Sequence, residues 1–97
     1  MYALVGRVRI KPGHEEGTAA MARQGGPELV RGMSGSTAAY WARPVDQESD
    51  LIQHSFWLFE TEADARAAET TFNSLREMPE APAELLGAQV CEVIAAM

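Results

Sequence analysis

Residues 51–59 carry largely apolar side chains on both faces of a period-two pattern. Leu51, Gln53, Ser55, Trp57 and Phe59 fall on one side, and Ile52, His54, Phe56 and Leu58 on the other. Such a strand belongs in the middle of a sheet, covered on both faces. The rest of the chain must therefore supply flanking strands and two covers.

Residues 2–10 alternate in the same way. Tyr2, Leu4, Gly6, Val8 and Ile10 take one face and Ala3, Val5, Arg7 and Arg9 the other, and Pro12-Gly13 ends the strand. Residues 14–33 are rich in alanine and read as two helical pieces, about 14–24 and 27–33, parted by Gly25-Gly26-Pro27. A second strand follows at 37–43, then an acidic loop to Asp50 and the central strand. Thr61 reads as the cap of a further helix, with Glu62 and Asp64 in its first turn. Ala65, Ala68, Phe72 and Leu75 make its apolar stripe, and Pro79 and Pro82 close it. Residues 83–86 read as one more helical turn stopped by Gly87, and 88–96 as the last strand.

The order β-α-β-β-α-β predicts a single α+β domain over residues 1–97, of ferredoxin-like type. Its four-stranded antiparallel sheet would carry both helices on one face. The other face, with Val5, Ile52, Phe56 and Leu58, then needs a cover. A second copy of the chain, packed face to face about a two-fold axis, is the simplest one. A chain of 97 residues buries a thin core, which a homodimer would thicken.

Eight basic residues against fourteen acidic ones, a net charge of −6, argue against nucleic acid and against an anionic membrane surface as partners. No apolar run approaches the ~20 residues of a membrane span. Arg7, Arg9 and Lys11 break the pattern of a signal peptide. Cys91, the one cysteine, excludes an intrachain disulfide and suits a reducing compartment. The expected location is cytoplasmic.

Three passages carry a family likeness: Val8-Arg9-Ile10-Lys11-Pro12-Gly13 leading into the first helix, the turn and strand from Gly32 to Tyr40, and Phe56-Trp57-Leu58-Phe59-Glu60 running into Thr61-Glu62-Ala63-Asp64-Ala65. Together they resemble the antibiotic biosynthesis monooxygenase-like proteins of the dimeric α+β barrel superfamily. The resemblance implies a pocket between sheet and helices in each subunit. By strand parity its floor would hold Tyr2, Leu4, Gly6, Ser55, Trp57 and Phe59, with Met21 and Phe72 as roof. It further implies cofactor-free oxygenation of a small aromatic or polyketide-like substrate, or a related isomerisation or cyclisation, with Trp57, Ser55 and Tyr40 as candidate catalytic groups and Gln53 as a further donor. No cofactor and no metal is expected.

The chain departs from the family's better-defined branches. The haem-degrading branch has asparagine on the first strand, tryptophan at the end of the third, and a ligating histidine on the second helix. Here Gly6 and Phe59 stand at the strand positions, and no histidine follows His54. The phenol-oxygenase branch has an asparagine four residues before that tryptophan and a tyrosine on the second helix; the matching positions here are Ser55 and, approximately, Ala65. The alternative is therefore a non-catalytic homodimer that binds a small hydrophobic ligand or a partner protein.

Other chemistry-bearing residues have plainer readings. His54 is a candidate acid or base, but its parity points it to the dimer face, near Arg7 or Arg9. It cannot pair with Ser55, its neighbour on the opposite face. His14, Glu15 and Glu16 read as a solvated first helical turn, and Asp46, Glu48 and Asp50 as a polar hairpin loop, since Leu51 and Trp57 stand where a calcium loop needs glycine and glutamate. Arg7 and Arg9 are candidate anion ligands or partners of acids such as Glu92. Cys91 reads as buried structure. Neither Gly25-Gly26 nor Gly32 to Gly35 has the lysine-containing spacing of a phosphate loop.

Overall fold

A computed structural model describes residues 1–46, 51–76 and 80–97. The elements run β1 (Tyr2–Ile10), α1 (Glu15–Gln24), α2 (Gly26–Arg31), β2 (Ser36–Ala42), β3 (Ile52–Phe59), α3 (Glu62–Arg76) and β4 (Ala83–Glu92). The strands form one antiparallel sheet in the order β2-β3-β1-β4, so the architecture is the ferredoxin-like one expected, with its first helix split in two. No helix among the described residues is long and apolar enough to cross a membrane. Glu48 and Asp50 of the expected hairpin loop, and the closing proline Pro79, lie outside the described residues.

Each helix begins where local chemistry allows it. Gly13 turns the chain with φ 86°, a conformation costly for any residue with a Cβ, and its N–H donates to the Glu15 carboxylate at 3.2 Å. The α1–α2 break falls at Gly25, whose N–H donates to the Met21 carbonyl at 2.8 Å. At α3, Thr61 Oγ1 accepts from the Asp64 N–H at 3.2 Å and donates to the Asp64 carboxylate at 2.8 Å, satisfying an amide the helix cannot.

The core lies between the sheet and the helices. Leu4, Val8 and Ile10 of β1, Trp57 and Phe59 of β3, and Ala65, Ala68 and Phe72 of α3 are its buried members, with Val30 of α2 and Ala83 of β4. The α3 positions are spaced three and four apart, which places them on one stripe. Leu75, expected on that stripe, is exposed instead. The small residues Gly6, Ala65 and Ala68 have a purpose here. A Cβ on Gly6 would stand 2.6 Å from Cζ of Phe72, so the bare backbone of β1 is what seats that ring.

The fourth strand differs from the expectation. Residues 83–86 are strand, not a helical turn, and β4 ends at Glu92. Ala-Glu-Leu-Leu favours helix locally, but pairing with β1 overrides it: Ile10 faces Ala83, Arg9 faces Glu84 and Val8 faces Leu85. Between Arg7 and Val8 the register slips, and Leu86 is the extra residue of a bulge next to Gly87. The bulge resets parity, which puts Ala88 and Val90 on the helix side and Cys91 opposite Ala3 on the open side. Cys91 is thus half-buried on the open face rather than buried in the core. The ion pair is also different. Arg9 bonds its cross-strand neighbour Glu84 at 3.0 Å, while Glu92 lies opposite Tyr2.

The open face carries Val5, Ile52 and Leu58, all half-buried, with Phe56 and Tyr40 exposed. His54 lies there too, level with Arg7 on β1, its ring stacked on Phe56 at a centroid distance of 6.5 Å.

Candidate functional site

The helices cover the sheet unevenly. Small residues on the inner side of α1, and the break before α2, leave a cavity of about 820 Å³ above β1, β3 and the end of β2. That volume lies within the ~300–1,000 Å³ of small-molecule sites. Its floor and walls are mainly aliphatic and aromatic. Trp57 packs edge-on against Trp41 with centroids 6.3 Å apart, and against Phe72 at 5.4 Å. Trp41 lies across Gly26, where a Cβ would meet its ring at 2.7 Å. Leu29, Met21 and Leu75 are exposed and rim the opening.

Four of the expected site residues meet on this cavity: Gln53, Trp57, Met21 and Phe72. Met21 is 60% exposed, so it stands at the entrance rather than over the ligand as a closed roof. The others lie elsewhere. Leu4 and Phe59 are fully buried, and the Phe72 ring occupies the space over Gly6, so this half of the expected floor is filled by the protein itself. Tyr2 packs half-buried beside Phe59, outside the cavity. Ser55 is buried between Gly6 and Trp41 in the sheet and does not line the cavity.

Tyr40 is a clear correction. It is 61% exposed and paired with Phe56 on the open face, across the sheet from the cavity. The register irregularity between Ser36 and Ala38 sets the parity of β2, and Trp41, not Tyr40, faces the helices. Tyr40 and His54 are both thereby separated from the cavity by the sheet.

Two polar side chains remain on the cavity floor, and both are donors. Trp57 is 2% exposed, and its indole N–H has no hydrogen-bond partner among the described residues. Leaving a buried donor unsatisfied costs about 1–3 kcal/mol, so this atom calls for an explanation. Gln53 is also buried, and its Oε1 accepts from Nε of Arg43 at 2.9 Å. A guanidinium only donates, so the amide oxygen must be the atom turned to Arg43, and the two N–H donors of Nε2 are left over.

Arg43 is in turn held by α1. Its Nη2 donates to Thr18 Oγ1 at 2.9 Å and to the Glu15 carbonyl at 3.1 Å. Thr18 Oγ1 itself donates to the carbonyl of His14 at 2.7 Å, so its one donor is spent. One rigid chain of hydrogen bonds thus ties α1, the end of β2 and β3 together at one end of the cavity. The Glu15 carboxylate has its pKa lowered, first by its own backbone N–H and then by that of Gly13. Among the described residues, Glu80 is the one ionisable group on the cavity wall, and it is exposed.

Arg43 and Thr18 were absent from the expected site, whereas Trp41, expected with Trp57, Tyr40, Phe59 and Phe72 to line an aromatic pocket, does line the cavity. A polar residue among the alanines of α1 and an arginine closing an aromatic strand are weak signals, and only register brings them to Gln53.

No family model matches the chain, and no curated protein matches it.

Proposed function

We propose that the protein is a homodimeric, monooxygenase-like protein that binds a small aromatic or polyketide-like molecule in the cavity between sheet and helices. The observation that carries this reading is the buried Trp57 N–H, which has no partner among the described residues, on a mainly aromatic and aliphatic cavity. A ligand with a flat apolar body and a carbonyl, phenolate or enolate oxygen would satisfy that donor and fill the space beside Trp41 and Phe72.

Donors without a base suit one kind of oxygenation. A substrate acidic enough to ionise unaided needs no protein base; it needs its anion held and kept dry. Its carbanion form can give electrons to dioxygen. For a ring CH₂ that becomes C=O, one oxygen atom enters the product and the other leaves as water. The substrate supplies all four electrons, so no external reductant is required. In this reading Trp57 and Gln53 hold the substrate oxygen and the aromatic walls exclude water.

The second reading is a non-catalytic ligand-binding homodimer. It is favoured by the lack of an ionisable side chain deep in the cavity among the described residues. In both readings the second copy covers the open face, over Val5, Ile52, Phe56 and Leu58.

A thermal-shift screen at fixed protein concentration, with polycyclic phenols, hydroxyquinones, lactones, fatty acids and haem, tests the binding claim. The expected result is a rise in Tm with phenols or hydroxyquinones that is lost in Trp57→Ala. Oxygen uptake with the compound that binds then separates the readings: equimolar uptake and a quinone product support oxygenation, and saturable binding without uptake supports the second. A shift with fatty acids alone would overturn the aromatic-ligand reading, because a carboxylate satisfies the donors without a flat ring.

A further inference from the structure

We infer that Arg43 is a positioning residue that makes the cavity floor donor-only, so that the site selects ligands presenting an ionised oxygen, such as the enolate of a hydroxyquinone. This rests on the reading of the cavity as a ligand site.

The argument begins with what an amide can do. A free glutamine offers an acceptor and two donors and can turn to suit either kind of ligand. Gln53 has lost that choice. Arg43 Nε takes its oxygen at 2.9 Å, and the same guanidinium is locked by Thr18 Oγ1 and the Glu15 carbonyl at 2.9 and 3.1 Å. Turning the amide over would set N–H against N–H. The guanidinium charge also polarises the amide, strengthening its remaining N–H donors in a site of low dielectric.

Trp57 adds a second donor that cannot accept. Thr18, the other buried polar residue on the wall, has its hydroxyl engaged by Arg43 and the His14 carbonyl. The buried polar surface thus favours acceptors, and an anion over its neutral acid; among the described residues the lining also holds the exposed Gln24 and Glu80, and the Glu80 carboxylate is the one charge on the wall that opposes an anion. Arg43 also lines an adjoining groove of about 340 Å³, which shares Gln53 and Trp41 with the cavity.

The test uses 2-hydroxy-1,4-naphthoquinone, whose visible band reports its ionisation, with naphthalene as a probe of the apolar walls alone. On the wild-type protein the bound quinone should titrate about one pH unit or more below the free quinone, equivalent to about tenfold tighter binding of the anion. Gln53→Glu keeps the shape and the bond to Arg43 but replaces donors by a carboxylate; the shift should vanish while naphthalene still binds the apolar walls. Arg43→Met should lower the shift several-fold in the wild-type background. In Gln53→Leu the same change should add no further loss, because Arg43 acts through Gln53.

An equal loss from Arg43→Met in both backgrounds would mean that charge alone acts, and would overturn the inference. Wild-type protein that binds naphthalene but shows no preference for the ionised quinone would also overturn it, leaving the cavity reading standing. Protein that binds neither probe would defeat the cavity reading and the inference together.

Discussion

Gly6→Ala is the smallest change that the fold should refuse. The added Cβ would lie 2.6 Å from Cζ of Phe72 and 3.1 Å from both Cε atoms. Phe72 is buried, and its ring is held edge-on by Trp57 at 5.4 Å, so it cannot swing aside into solvent. Overpacking of a filled core by one methyl costs about 1–3 kcal/mol. Against this, alanine restricts the unfolded chain and returns about 0.4–1 kcal/mol, and the extended backbone of Gly6 imposes no strain of its own. The net loss is about 1–2 kcal/mol, or roughly 4–16 °C in Tm for a domain of this size.

The assay is denaturant unfolding of the wild type, Gly6→Ala, Phe72→Leu and the double variant. Phe72→Leu removes the far end of the ring, so the alanine should then cost little, and the cycle should show a coupling of about 1 kcal/mol or more. An alanine tolerated within about 0.5 kcal/mol, or one equally costly beside Leu at position 72, would refute the claim that the ring sits on the bare strand.

Two further outcomes are expected. Glu15 has a lowered pKa in the folded chain, so its contribution is complete above the ordinary carboxylate value of 4.5 and is lost as pH falls through the lowered one. Glu15→Gln should reduce Tm at neutral pH and flatten its fall on acidification; an unchanged slope would sink the claim that the Glu15 and Gly13 backbone N–H groups hold its carboxylate. Phe56→Glu places a charge on the open apolar face, and sedimentation should show the dimer replaced by a folded monomer, whereas a wild-type protein that already sediments as a monomer would contradict the proposed pairing.

The fold was legible because its main signals are period-two alternation and a helical stripe, which depend on local spacing. Tyr2–Ile10, the central strand and the Ala65–Ala68–Phe72 stripe all emerged in that way. The errors arose where register is set by pairing. The bulge at Leu86 and the irregularity near Thr37 each shift parity by one, and neither has a distinct local signature. They turned Tyr40 and Cys91 to the open face and Trp41 to the helices. The site was half legible for the same reason. Gln53 and Trp57 follow from the parity of β3, but the filling of the Gly6 side by Phe72, and the reach of Arg43 to Thr18, are tertiary facts.

The central claim is that Trp57 offers its N–H to a ligand in the cavity. The chain has two tryptophans, so a ¹⁵N-labelled sample gives two indole resonances, and Trp41→Phe assigns them. Titration with 2-hydroxy-1,4-naphthoquinone should move the Trp57 indole downfield and saturably as it gains an acceptor, with the backbone amides of Ala3 and Cys91 on the open face unmoved. An indole that stays in place at saturating probe, or a shift confined to Ala3 and Cys91, would contradict the account.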